Sequence, residues 1–215
     1  MSVIDLSKNT IPYMTIATGR HQDLTSAHVF GYIDDVTSSS VPESITPQGG
    51  LYPFPETASQ ISLVSTDSDT MTVTIRGLDA NYNLASESVT LNGIAPVSTT
   101  GSYIRVYGIS TDAINAGVIT ASISSDVLAQ IAVGDSNSLL AVHTIPRGYT
   151  GYLVGVDVSV NKGHDAMVSM YARAGGDNFK IQFTSDVYES AYSYRPLVPI
   201  KLPEMTDIDF RVTEI

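Results

Sequence analysis

The chain has 215 residues and a mass of 22.9 kDa, enough for one large β domain or two small ones with a buried core. Hydrophobic residues make up 43% and charged residues 15%, a composition that excludes the charge-rich class of disordered chains. A formal charge of −11 argues against nucleic acid and membrane partners, and the absence of cysteine excludes disulfides, thiolate catalysis and cysteine-based zinc sites.

Residues 1–57 contain the proline-rich stretch "VTSSSVPESITPQGGLYPFPE", which disfavours helix. We predict an extended N-terminal arm with short strands near Tyr13 to Thr18 and Ala27 to Ile33. Residues 34–57 are pre-extended and lose less entropy on binding, so we expect them to lie across a neighbouring subunit. The N-terminus has no basic start followed by an apolar run, so we expect neither a signal peptide nor a membrane span.

Residues 58–134 show the period-two alternation of strands with one buried face. Turn residues separate the apolar runs at roughly ten-residue spacing, which is typical of a β-sandwich. The segment "SSDVLAQIAVG" fits a short helix and a strand equally well. The predicted strands contain Ile61 and Leu63, Met71 to Arg76, Val89 to Leu91, residues 103–110 and residues 117–124.

Residues 135–215 contain about six further strands, which predict a jelly-roll-like β domain. In "GYLVGVDVSVNK", the alternation from Tyr152 to Val160 predicts one continuous strand with a single apolar face. A jelly roll usually has eight strands, two more than we count in this region. We therefore expect strands of the N-terminal arm to complete its sheet. The region 58–134 is then an inserted, immunoglobulin-like sandwich, and the fold class is all-β.

Motifs for enzymatic chemistry are missing from the sequence. None of the four histidines forms a close metal-ligand pair, and His143 lies in an apolar strand where packing explains it. No Walker loop, G-x-S-x-G or G-x-G-x-x-G motif occurs. We therefore expect no enzyme activity, no cofactor and no metal.

Two pairs of aspartates have alternative interpretations. Asp67 and Asp69 in "STDSDT" resemble the opening of a calcium loop, but its glycine and terminal glutamate are missing, so we favour a solvated hairpin loop. Asp207 and Asp209 share one face of a strand, as acid and base carboxylates can. We favour a solvent-facing edge strand that its charges keep soluble.

The segment "VYESAYSYRP" is the richest aromatic segment, and we interpret it as non-strand. Tyr and Arg favour interfaces because they bury large areas and still form hydrogen bonds. Intramolecular packing, a subunit interface and a sugar or peptide site all remain open for it. The candidate interface residues are Tyr188, Tyr192, Tyr194, Arg195, Tyr52 and Phe54.

Three blocks in order carry a family resemblance: the first runs from "GLYPFPETASQISLVSTDSDT" through "RGLDANYN" and "SVTLNGI", the second is "DVLAQIAVGDSNSLLAVHTIPRGYTGYLVGVDVSVNK", and the third is "RPLVPIKLPEMTDIDFRVTE". Together they resemble virion structural proteins of tailed bacteriophages, of the type common among marine phages. The resemblance runs from about Tyr13 to the end of the chain. It implies β-sandwich or jelly-roll subunits, no cofactor, and a place as an accessory part of the particle.

From the resemblance and the composition we expect a capsid decoration, or cement, protein. It would form a homotrimer, dock on the major capsid protein, and lie on the outer surface of the virion after assembly in the host cytoplasm. One alternative is a structural protein of the neck, tail or fibre. A second is a carbohydrate-binding module for adsorption to the host, which "DVYESAYSYR" could serve.

Overall fold

The computed structural model describes Ile16, residues 23–36 and residues 40–215. All the elements defined in this part of the chain that are longer than one residue are strands. The fold class predicted from the sequence, an all-β sandwich, is confirmed. The strands are β1 (Glu43–Ser44), β2 (Ser59–Ser65), β3 (Thr72–Asp79), β4 (Leu84–Thr90), β5 (Val97–Thr111), β6 (Ile119–Ile123), β7 (Asp126–Ile131), β8 (Val142–Thr144), β9 (Gly151–Leu153), β10 (Val156–Ser159), β11 (Asp165–Ala174), β12 (Lys180–Tyr188), β13 (Ala191–Tyr194), β14 (Ile200–Leu202) and β15 (Thr206–Glu214).

The first large sheet is antiparallel and has the order β4-β3-β5-β2-β6-β7. Its alternating apolar side chains form the largest core cluster, in which Ile61, Leu63 and Ile75 are completely buried. The segment 124–134, which fits a helix or a strand in sequence, contains strand β7. The boundary predicted at residue 134 falls between β7 and β8, although Leu140 and Val142 from beyond it pack in the same core.

The long strand β5 bends and pairs with β2 on one side and β3 on the other. The pairing with β3 shifts register between Arg76 and Gly77. A side chain at Gly77 would lie 2.0 Å from the carbonyl oxygen of Arg105, so only glycine allows the two backbones to approach this closely.

The second large sheet has the order β1-β15-β11-β12, and β8 also pairs with β15. One short strand of the arm, β1, therefore joins this sheet. The strand predicted for 27–33 is wrong, because this segment packs closely through Gly31 on Ala141 without forming a ladder. The strand predicted near Tyr13 to Thr18 lies outside the described residues apart from Ile16.

Four short strands form two separate two-stranded sheets, which we call ribbons. In these, β9 pairs with β14 and β10 pairs with β13, both antiparallel. The prediction of one continuous strand from Tyr152 to Val160 is wrong, because the pairing stops at Val154 and Gly155. Tyr152 and Val154 are exposed, whereas Val158 and Val160 pack against a small core cluster around Val168. The segment interpreted as non-strand also contains β13, so that interpretation is corrected.

Candidate functional site

A buried carboxylate joins the two large sheets. Asp207 on β15 is 4% exposed and forms a bidentate ion pair with Arg105 on β5, through Nε at 2.7 Å and Nη2 at 2.8 Å. Arg173 Nε and Thr144 Oγ1 donate two further hydrogen bonds to it, at 2.9 and 2.6 Å. Burial works against the charge of Arg105, but Asp207 outweighs it, so the pKa of the guanidinium is raised and the group stays charged.

Asp209 lies two residues further along the same face and is completely buried. Arg211 Nε and Ser44 Oγ donate hydrogen bonds to its Oδ2, at 2.6 and 3.0 Å. Its Oδ1 has no hydrogen-bond partner among the described residues. Burial raises the pKa of Asp209, and the negative charge of Asp207 adds to the rise, while Arg211 and Ser44 oppose it.

The two aspartates and the three arginines around them form what we call the ionic cluster: Arg105, Arg173, Asp207, Asp209 and Arg211. Aromatic rings lie against its guanidinium groups. The carbon Cζ of Arg173 lies 4.7 Å from the ring centroid of Phe179, and that of Arg211 lies 4.3 Å from the ring centroid of Tyr171. Stacked rings keep water away and stabilise the cations. The cluster therefore holds the two sheets together through the buried ion pair between Arg105 and Asp207.

The prediction of a solvent-facing edge strand for Asp207 and Asp209 is wrong. Strand β15 lies inside the second sheet, between β11 on one side and β1 and β8 on the other. The carboxylates are buried because guanidinium groups from β5 and β11 and from β15 itself neutralise them.

The prediction of a solvated loop is wrong for Asp69, which is buried and connects two loops. Its carboxylate accepts hydrogen bonds from Ser65 Oγ at 2.6 Å and from the amides of Ala116 and Gly117 at 2.9 Å each. These bonds, that of Ala116 first, hold the pKa of Asp69 below its ordinary value. Among the described residues, no group of three or more His, Asp or Glu side chains could hold a metal ion.

His143 is a packed residue, as the sequence predicted. Its ring stacks on Tyr107 with centroids 4.4 Å apart, and the Tyr107 hydroxyl donates to the carbonyl of Thr144. Burial lowers the pKa of His143 to about 4, so the ring is neutral at pH 7.

The predicted interface residues fall into two groups. Tyr52 and Phe54 are buried in the large core cluster, where their rings make an edge-to-face contact at 4.7 Å. Their rings are therefore occupied by packing within the chain. The same holds for residues 43–54 of the arm, which we expected on a neighbouring subunit: β1 pairs with β15, and Tyr52 N donates to Ser44 Oγ.

The other four residues lie together on the ribbon side of the second sheet. Tyr192 and Tyr194 on β13 stack on Phe183 of β12, with centroid distances of 6.1 and 4.5 Å. Arg195 Nη2 forms an exposed ion pair with Asp157 and donates to both of its carboxylate oxygens, at 2.7 and 2.9 Å. Tyr188 ends β12 and is exposed. The interface prediction stays with these four residues.

The break between the two ribbons exposes a cluster of apolar side chains. Residues 154–155 lie opposite residues 195–199, because Leu153 pairs with Ile200 and Val156 with Tyr194. The exposed fractions are 64% for Val154, 100% for Leu197 and 76% for Val198. We call these three residues the ribbon-break patch. Sequence reasoning missed this patch, although Gly155 within the valine alternation marks an interruption.

No family model, curated protein or solved structure matches the chain, so the resemblance to phage virion proteins stays a prediction. Within the described residues, no helix is long and apolar enough to cross a membrane.

Proposed function

We propose that this chain is a structural subunit of a tailed-phage particle, a capsid decoration protein that forms a trimer and docks on the major capsid lattice. The observation that carries the proposal is the ribbon-break patch. Exposed apolar residues that lie close together often mark a binding surface, whereas single exposed ones are common. Val154, Leu197 and Val198 therefore indicate a surface that another subunit covers.

The surroundings of the patch suit a rigid contact. Arg195 lies flat on Gly155, since a side chain there would come within 2.6 Å of its Nη1. The same Nη1 donates to the carbonyl oxygens of Tyr194 and Val156, at 2.9 and 3.2 Å. Arg195 thus bridges the two sides of the break, and a surface with fewer free conformations loses less entropy on association.

The rotation between neighbouring copies decides whether such a contact gives a closed ring or a fibre. A patch that meets a different surface on the next copy forms a ring when the rotation closes, and a trimer is one such ring. On a capsid lattice, many copies bind together, so weak docking contacts are sufficient. The phage placement itself depends on the sequence resemblance described above.

Reconstruction of virions of the phage that encodes this chain tests the proposal. We expect density for the subunit at three-fold or quasi-three-fold positions on the outside of the head. Density confined to the tail axis would contradict the decoration role and support the neck or tail alternative. Absence of the chain from purified virions would overturn the virion proposal altogether.

The role of the patch is tested by the double substitution Leu197→Ser and Val198→Ser. We expect it to weaken self-association by at least about tenfold, because two apolar side chains lose their burial at the contact. Leu84→Ser is the matched control, since Leu84 is also exposed but lies on β4, in the other sheet. Equal effects of both variants would remove the patch from the interface.

A further inference from the structure

A cleft of about 220 Å³ lies beside the hairpin of β11 and β12. Strands β11 and β12, the turn between them, β14 and the start of β15 all contribute to its lining. Three cationic side chains, Arg173, Lys180 and Lys201, line it against one carboxylate, Asp177. This concentration of positive charge is unusual because the whole chain carries −11.

The cations of the cleft are incompletely neutralised. Lys180 and Lys201 form no ion pair with any described residue. Arg173 uses Nε for Asp207, while its two Nη groups have no hydrogen-bond partner in the described part of the chain. Three cationic groups converging on a concave surface favour the binding of an anion.

The other polar groups of the cleft indicate a small ligand group with oxygen atoms. Asn178 lines the cleft, and the buried Thr206 Oγ1 beside it has no hydrogen-bond partner among the described residues. The volume suits one short acidic side chain better than a large ligand, since sites for drug-sized molecules start at about 300 Å³.

We infer that the cleft receives an acidic side chain, Asp or Glu, of a second copy of this chain. Charge complementarity identifies the occupant: a chain with 22 Asp and Glu residues and a local cationic cleft offers both halves of the contact. Strand β12, which contributes Lys180, is an edge strand among the described residues, so a second subunit can approach it. This inference rests on the proposed self-association and adds the electrostatic contact that overcomes repulsion between acidic subunits.

The experiment compares two double variants of equal net charge by sedimentation equilibrium. Lys180→Glu with Lys201→Glu reverses the cleft. Arg76→Glu with Lys162→Glu is the control, because both residues are exposed, lie outside the cleft and form no ion pair with the described residues. At low salt we expect the cleft variant to associate at least about tenfold more weakly than the control. In 0.5 M NaCl the difference should shrink, because salt screens exposed charges.

Each outcome bears on the inference separately from the proposed function. If the wild type associates and both variants weaken equally, net charge alone is responsible and the cleft assignment is overturned. If the wild type is a monomer throughout, both the self-association and this inference fail. Lys180→Gln with Lys201→Gln removes the charge without reversing it, and unchanged association in that variant would also overturn the inference. Unchanged association together with chemical-shift changes at Lys180 and Lys201 on adding galacturonate would assign the cleft to an acidic sugar instead.

Discussion

The two large sheets of this chain are stabilised in different ways. The six-stranded sheet encloses one extended apolar cluster that contains Ile61, Leu63, Ile75 and Leu128, all completely buried. The second sheet divides its apolar residues between two small clusters and places Asp207 and Asp209 on its other face, at the contact with β5 and β1. We conclude that the first sheet depends on apolar packing, whereas its junction with the second sheet also depends on buried charges.

Of the substitutions considered, Asp207→Asn should lower the free energy of unfolding the most. It leaves Arg105 and Arg173 buried or half-buried without their carboxylate, and breaking a buried ion pair costs about 3–5 kcal/mol. Urea unfolding at pH 7 measures the loss. A loss below about 1 kcal/mol would mean that the ionic cluster does not fasten the sheets.

Leu63→Ala tests the apolar side of the comparison. Leu63 is completely buried on β2, and removing such a side chain costs about 2–5 kcal/mol through lost burial and the cavity left behind. We expect the loss to be the same at pH 5 and pH 8, because no charge is removed. A strongly pH-dependent loss would show that the first sheet also depends on the ionic cluster.

Burial of His143 should make the free energy of unfolding fall in acid. Its folded-state pKa of about 4 lies below the unfolded value of 6.5, so its contribution is complete above pH 6.5 and is lost as the pH falls toward 4. The loss reaches roughly 3 kcal/mol at the acid end of this window. His143→Phe should flatten the dependence of the unfolding free energy on pH in this range, and His164→Phe, in an exposed turn, should not. Equal curves for wild type and His143→Phe would contradict this.

Asp157→Asn should change the free energy of unfolding the least. Both oxygens of this carboxylate accept from the single atom Arg195 Nη2, and solvent surrounds both partners. Exposed ion pairs contribute little to stability, so the unfolding midpoint should stay close to that of the wild type. A loss equal to that of Asp207→Asn would mean that burial does not set the strength of these pairs.

Strand positions could be predicted from the sequence where apolar and polar residues alternate strictly. Ile61 and Leu63 show this in β2, and Ile208 and Val212 show it in β15, because successive side chains of a strand point to opposite faces. The break after Leu153 was missed because the valine alternation continues past Gly155, and the pairing with β13 and β14 shows that this glycine marks the interruption.

The ionic cluster could not be predicted because its partners are distant in the chain. Arg105 and Asp207 are 102 residues apart, and nothing near Asp207 in sequence indicates that its charge is neutralised. A polar face on a strand is normally the solvent face, and that rule led to the wrong prediction for Asp207 and Asp209. The cleft escaped prediction for the same reason, since Arg173, Lys180 and Lys201 come from three strands.

Sedimentation equilibrium of the wild-type chain at micromolar concentrations tests the central claim most directly. A subunit that works by covering its ribbon-break patch with another copy should sediment as a single species of three times 22.9 kDa. A species of 22.9 kDa at every concentration would contradict the account, because Val154, Leu197 and Val198 would then remain exposed in the working state.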